Sequence, residues 1–148
     1  MNSVLLNAFG DGSIKIQQSV TSWRECFELA GSGLVESKRT SAAYTQEMIQ
    51  AFEELGPYMV IAPGIALAHG RPSESVIETG LSLVTLSTPI EFGSQSNDPV
   101  SLVIGLAATD HDSHIDLMAE LSKLLMSEEK VTLLLNATKE AEVRSYLR

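Results

Sequence analysis

The run Val100-Ser101-Leu102-Val103-Ile104-Gly105-Leu106-Ala107 is apolar at nearly every position. A strand with one wet face alternates polar and apolar residues, so an almost unbroken apolar run predicts a central strand covered on both sides. Covering both faces takes a layer of other elements above and another below. This one segment points the chain toward a layered α/β fold and away from an all-helical bundle.

The rest of the chain supplies the layers. Ser13-Ile14-Lys15-Ile16-Gln17 alternates like a short strand, and Ser22 with Glu25 forms a capping box for a first helix whose inner face reads Val20, Trp23, Phe27 and Ala30. Gly31-Ser32-Gly33 is expected to break that helix. A second helix starts near Thr40, carries Tyr44, Met48, Ala51, Phe52 and Leu55 at helical spacing, and stops at Gly56-Pro57. Tyr58-Met59-Val60-Ile61 reads as a short buried strand, and Pro63-Gly64 bends the chain into the apolar segment Ile65 to Ala68. Gly80 to Leu86 alternates like a strand with one covered face, closed by Pro89 and Gly93.

Past the central strand, Asp112 or Ser113 can cap a third helix with the stripe Leu117, Met118, Leu121, Leu124 and Leu125. Two shorter helices are expected from Ser127 and from Thr138. The element order is roughly βααβββααα. It predicts an α/β fold: a single-domain three-layer α/β/α sandwich with a central mixed β-sheet, spanning residues 1–148.

Charge and cysteine usage narrow the function classes. Nineteen acidic against ten basic side chains give a net charge of −9, which disfavours attraction to nucleic acid or anionic lipid. The single Cys26 permits no internal disulfide and sits on an apolar helical face, as in a reducing compartment. No apolar run approaches the ~20 residues that span a bilayer, and the first residues lack a basic segment followed by an apolar stretch. A cytoplasmic protein without direct membrane insertion is expected.

Three histidines hold the candidate chemistry. His69 ends an apolar strand-like run and precedes Gly70, so little crowds its imidazole, and Arg71-Pro72 fixes the exit. A neutral imidazole has one unprotonated nitrogen and an unperturbed pKa near ~6.5, which suits it to accept a phosphoryl group. The alternative is a hydrogen-bonded structural histidine. His114 stands at the start of the third helix, in line with Leu117 and Met118, where free backbone N–H groups favour an anion; it too has a purely structural alternative. His111 and His114, with Asp110 and Asp112 beside them, suggest a metal pair, but no third ligand follows at a recognisable interval, so no metal is expected. Neither Gly10-Asp11-Gly12 nor Gly31-Ser32-Gly33 leads into the Gly-Lys-Ser/Thr of a nucleotide loop, and no nucleophile elbow is present.

The segment from Gly56 to Pro72, GPYMVIAPGIALAHGRP, resembles the active-site signature of the mannitol/fructose class of enzyme IIA domains of sugar phosphotransferase systems, most closely the ascorbate-type branch. Thr79-Gly80-Leu81-Ser82-Leu83, Pro89 to Gly93, Asn97 to Val100 and Asp110 to His114 follow in the family's order. The resemblance implies a phosphoryl carrier that accepts phosphate from phospho-HPr on His69 and passes it to an enzyme IIB partner, which serves a membrane IIC component. It implies an assisting role for His114, none for His111, and no cofactor. Ala68 departs from the pattern, since the family has proline there. The basic residue that the mannitol branch carries on the preceding helix has no match, and Arg71 is the nearest substitute. A regulatory module that signals through phosphorylation, or a degenerate binding domain, is the alternative reading.

Overall fold

The computed structural model describes residues 3–110 and 114–148. The run that opened the argument is β5 (Val100–Ala107), and it lies in the middle of a five-stranded sheet. The other strands are β1 (Ile14–Gln18), β2 (Val60–Ala62), β3 (Ile65–His69) and β4 (Gly80–Ile90), in the spatial order β1-β4-β5-β3-β2. β1 runs parallel to β4 and β3 parallel to β5, whereas β4–β5 and β2–β3 are antiparallel, so the sheet is mixed.

Helices cover both faces. The core splits into two clusters, as expected when successive residues of a strand point to opposite sides. On one side Val84, Val100 and Val103 meet α2 (Trp23–Glu36) and α3 (Ala43–Leu55). On the other Leu81, Leu83, Leu102 and Ile104 meet α1 (Val4–Ala8), α4 (Ile115–Met126), α5 (Glu128–Asn136) and α6 (Glu140–Tyr146). This is the three-layer α/β/α arrangement. No helix among the described residues is long and apolar enough to cross a membrane.

Several local expectations are corrected. Gly31-Ser32-Gly33 does not break α2, which is continuous from Trp23 to Glu36. A Cβ at Gly31 would lie 2.1 Å from Thr45 Oγ1 on α3, and one at Gly33 would lie 3.0 Å from Ser82 Cβ on β4. These glycines let the helix approach its neighbours closely, and that packing overrides the ~1 kcal/mol that each costs in helix propensity. The segment at Tyr58 is a 3₁₀ turn (Pro57–Met59) before β2 begins at Val60, and Ile65 to His69 is a strand of its own, so the sheet has one strand more than anticipated. β4 also runs on through Pro89 to Ile90, an exposed stretch where a missing N–H costs little. α1 was not anticipated, and the Asp112 and Ser113 cap positions lie outside the described residues.

The loop before β5 is organised by one carboxylate. Asp98 accepts hydrogen bonds from the backbone N–H groups of Phe92 (3.0 Å), Gly93 (2.8 Å) and Ser94 (3.0 Å). Its neighbour Asn97 donates through Nδ2 to the Val60 carbonyl, tying the loop to β2. In Asp98→Asn the charge is lost, and with the amide oxygen in the Oδ2 place the NH2 faces the Phe92 N–H where an acceptor stood. We expect a loss of about 1–3 kcal/mol in urea unfolding; a loss under about 0.5 kcal/mol would contradict this account.

Candidate functional site

β3 delivers His69 to the carboxyl end of the sheet. Ile65 to Ala68 are buried in register with Leu102 to Gly105 of β5, and His69, paired with Leu106, is the first residue of the strand to emerge. Its Nδ1 lies 2.9 Å from the Leu67 carbonyl oxygen. A carbonyl only accepts, so in the neutral ring Nδ1 carries the proton and Nε2 keeps the lone pair. The backbone of this chain thereby leaves Nε2 as the ring nitrogen with a free lone pair.

The imidazole opens onto a cavity of about 430 Å³ whose wall includes Met59, Leu67, Leu106 and Met118 among apolar side chains, and His114, Arg71 and Glu54 among polar ones. His69 and His114, 45 positions apart in the chain (114 − 69), are thus brought to one site. His114 is the N-cap residue of α4 rather than part of its first turn, and it makes no side-chain cap bond. Its Nδ1 is buried and has no hydrogen-bond partner among the described residues. A buried polar atom left this way is unfavourable, and an arriving acceptor can relieve it. Arg71 is exposed on the same wall and takes part in none of the ion pairs among the described residues. Beside it, Ala51 of α3 contributes only a methyl group, leaving room for the guanidinium.

Apolar side chains border the opening. Leu55 lines the cavity while 63% exposed, and Ile115, next to His114, is also 63% exposed. Such residues left in water mark a surface that a protein can cover.

Two residues of α3 have a place at the site that the sequence reading does not give: Tyr44 reads there only as part of the helical stripe, and Glu47 is not named. Tyr44 is buried, and its hydroxyl donates to the Leu106 carbonyl (2.7 Å) while accepting from the Gly70 N–H (2.9 Å). Burial pushes its phenol up to about 12, so it stays a neutral donor at any working pH. Glu47, one turn along, accepts from the hydroxyls of Ser73 (2.6 Å) and Ser75. Helical spacing alone labels Tyr44 as core and Glu47 as surface; only the path of the loop after His69 gives them partners.

His111 lies outside the described residues. Among the described residues no group of three or more His, Cys, Asp or Glu side chains is placed to hold a metal ion.

Known proteins resemble this chain in sequence and fold. The chain is 39% identical over 132 residues to an ascorbate-specific PTS system EIIA component of Escherichia coli K12, covering 88% of this chain and 86% of that protein. Its fold superposes with a TM-score of 0.85 and 34% identity on the mannitol-specific cryptic phosphotransferase enzyme IIA CmtB of Escherichia coli, covering 97% of each chain. The mannitol enzyme IIA of Escherichia coli, solved in complex with phosphorylated enzyme IIB, matches with a TM-score of 0.80 and 27% identity over 93% of this chain and 95% of that one. The family model for EIIA 2 of the phosphoenolpyruvate-dependent sugar phosphotransferase system matches residues 7–148. By the family match over nearly the whole chain and the identity to the ascorbate-specific component, with His69 and His114 lining one cavity, the chain belongs to that EIIA family and is a phosphotransferase component of a sugar phosphotransferase system.

Proposed function

We propose that His69 carries the phosphoryl group, accepting it on Nε2 from phospho-HPr and passing it to an enzyme IIB partner that works with a membrane IIC component. The observation that carries this reading is the Nδ1–Leu67 hydrogen bond, which leaves Nε2 as the free nucleophile beside the cavity. The transferred group passes through a loose, in-line transition state, so the protein's task is alignment and charge stabilisation. His69 attacks phosphorus through its Nε2 lone pair as the nitrogen of the donor histidine leaves, and the reverse geometry serves the onward transfer.

His114 donates a hydrogen bond to a phosphoryl oxygen. Its Nδ1, buried and without a partner among the described residues, and its place at the start of the twelve-residue α4, where the helix dipole favours an anion, support that role. Arg71, in none of the ion pairs among the described residues, supplies a cation to the same oxygens. The apolar border at Leu55 and Ile115 suits two partners that dock in turn. Phosphoryl transfer here uses no cofactor and no metal of its own, the site is cytoplasmic, and residues 1–148 act as one domain. The substrate of the whole system is ascorbate or a related sugar acid, by likeness to the Escherichia coli component named above. Incubation with phosphoenolpyruvate, enzyme I and HPr, with and without cognate IIB and IIC, tests the chain of transfers. Labelling without delivery to any IIB would favour the regulatory alternative.

His114→Ala is expected to be labelled still on His69, but to transfer about ten- to a hundredfold more slowly, corresponding to about 1–3 kcal/mol of lost phosphoryl stabilisation. Rapid-quench kinetics in both directions are the check. Unchanged rates together with an unchanged phosphoprotein lifetime would leave His114 with a purely structural part.

A further inference from the structure

We propose that Tyr44 is a positioning residue for phosphoryl transfer, its hydroxyl holding the peptide that follows His69 so that Nε2 stays aimed into the cavity. This inference rests on the reading of His69 as the phosphoryl acceptor.

One phenol oxygen touches both sides of the nucleophile's surroundings. It accepts from Gly70 N–H at 2.9 Å, the peptide immediately after His69, and donates at 2.7 Å to the carbonyl of Leu106, the residue paired with His69 across the β3–β5 ladder. The ring lies against the loop as well, since a Cβ at Gly70 would stand 3.4 Å from Tyr44 Cε1. One turn along α3, Glu47 holds Ser73 and Ser75. The same face of one helix therefore secures the loop at positions 70, 73 and 75 and leaves Arg71 and Pro72 between them at the cavity wall.

The departure at Ala68 gives this anchoring its purpose. Proline would lock φ just before the nucleophile through its own ring, whereas at alanine that torsion is held only by the β3–β5 ladder, so contacts on either side of His69 carry more of the rigidity. On the amino side it comes from the Nδ1–Leu67 bond, and on the carboxyl side from the Tyr44 hydroxyl. Release of the Gly70 peptide lets the His69 backbone turn, which loosens the Nδ1–Leu67 bond and mixes the two imidazole tautomers. Transfer then suffers because the correct nitrogen is misaimed, while docking through Leu55 and Ile115 is untouched.

The test is Tyr44→Phe, which keeps the ring and removes only the oxygen. Single-turnover transfer from phospho-HPr is expected to slow about ten- to a hundredfold with KM nearly unchanged. The ¹⁵N spectrum of His69 should change from one tautomer to a mixture. Asp98→Asn serves as a control of lowered stability remote from the cavity, and it should keep both the rate and the spectrum. Should Tyr44→Phe fail to fold, 3-fluorotyrosine incorporated at position 44 retains the hydroxyl as a stronger donor and a weaker acceptor. It should then shift the Gly70 amide resonance and alter the transfer rate. Phosphate mapped to His69 in the wild type, with normal kinetics and one tautomer in Tyr44→Phe, or no change with the fluorinated residue, would overturn the role of Tyr44 alone. Phosphate mapped to another residue would overturn the His69 reading and this proposal together.

Discussion

His69→Gln is expected to abolish labelling by phosphoenolpyruvate, enzyme I and HPr, whereas the wild type gains one acid-labile, base-stable phosphoryl group. Glutamine is close in size and retains a donor that can reach the Leu67 carbonyl, so the local structure should survive. Its amide nitrogen, however, has no available lone pair, and no bond to phosphorus can form. Of the other two histidines, His114 is expected to donate a hydrogen bond rather than attack, and His111 is assigned no part in the transfer. Residual labelling should therefore fall below detection, a loss of at least about a thousandfold, comparable to deletion of other enzymic nucleophiles. Phosphate quantified under alkaline conditions, with the site mapped by mass spectrometry, decides the matter. Labelling of the variant at wild-type level would refute the assignment.

The second large effect concerns stability. Phe27 is fully buried in α2, with its ring centroid 5.6 Å from Trp23, 5.2 Å from Phe52 on α3 and 6.2 Å from Phe92 in the loop that Asp98 organises. It stands where α2, α3 and the loop preceding β5 meet. Phe27→Ala removes the central ring of that group and leaves a cavity its neighbours can fill only in part. The expected cost is about 3–5 kcal/mol, a large share of the ~5–15 kcal/mol that keeps a domain folded. Urea unfolding should show the midpoint fall steeply, with the slope little changed. A loss below about 1 kcal/mol would mean that the ring is not structurally central. Because α3 carries Tyr44 and Glu47, slower labelling of His69 should accompany the loss of stability.

Both predictions draw on features that differ in how openly the sequence displays them. Phe27 is visible as part of a helical stripe with Trp23, and its burial follows from periodicity. His69 is visible through its setting, a histidine at the end of an apolar strand followed by glycine, within the ordered motifs that resemble the enzyme IIA family. By contrast α1 is only five residues long and shows no period; Ser3 caps it by accepting from the Leu6 N–H, and the Ser3 hydroxyl donates to the Leu147 carbonyl at the far end of the chain. Gly31 and Gly33 read locally as a break. They read correctly only against Thr45 and Ser82, residues that lie on other elements.

By itself the sequence determined the layered α/β class, the central strand, the helical stripes and His69 as the leading candidate, because each depends on side-chain order over a few residues or on a local motif. Only the tertiary structure decided the strand order, the continuity of α2, the meeting of His69 with His114 and Arg71, and the hold of Tyr44 and Glu47 on the loop. Those outcomes depend on contacts across the fold, such as Tyr44 with Gly70 at a separation of 26 residues and with Leu106 at 62. A hydroxyl on a core-facing tyrosine is the same symbol in the chain whether it finds a carbonyl, an amide or nothing. The cost of leaving a buried polar group unsatisfied selects its partner only once the surrounding elements have packed.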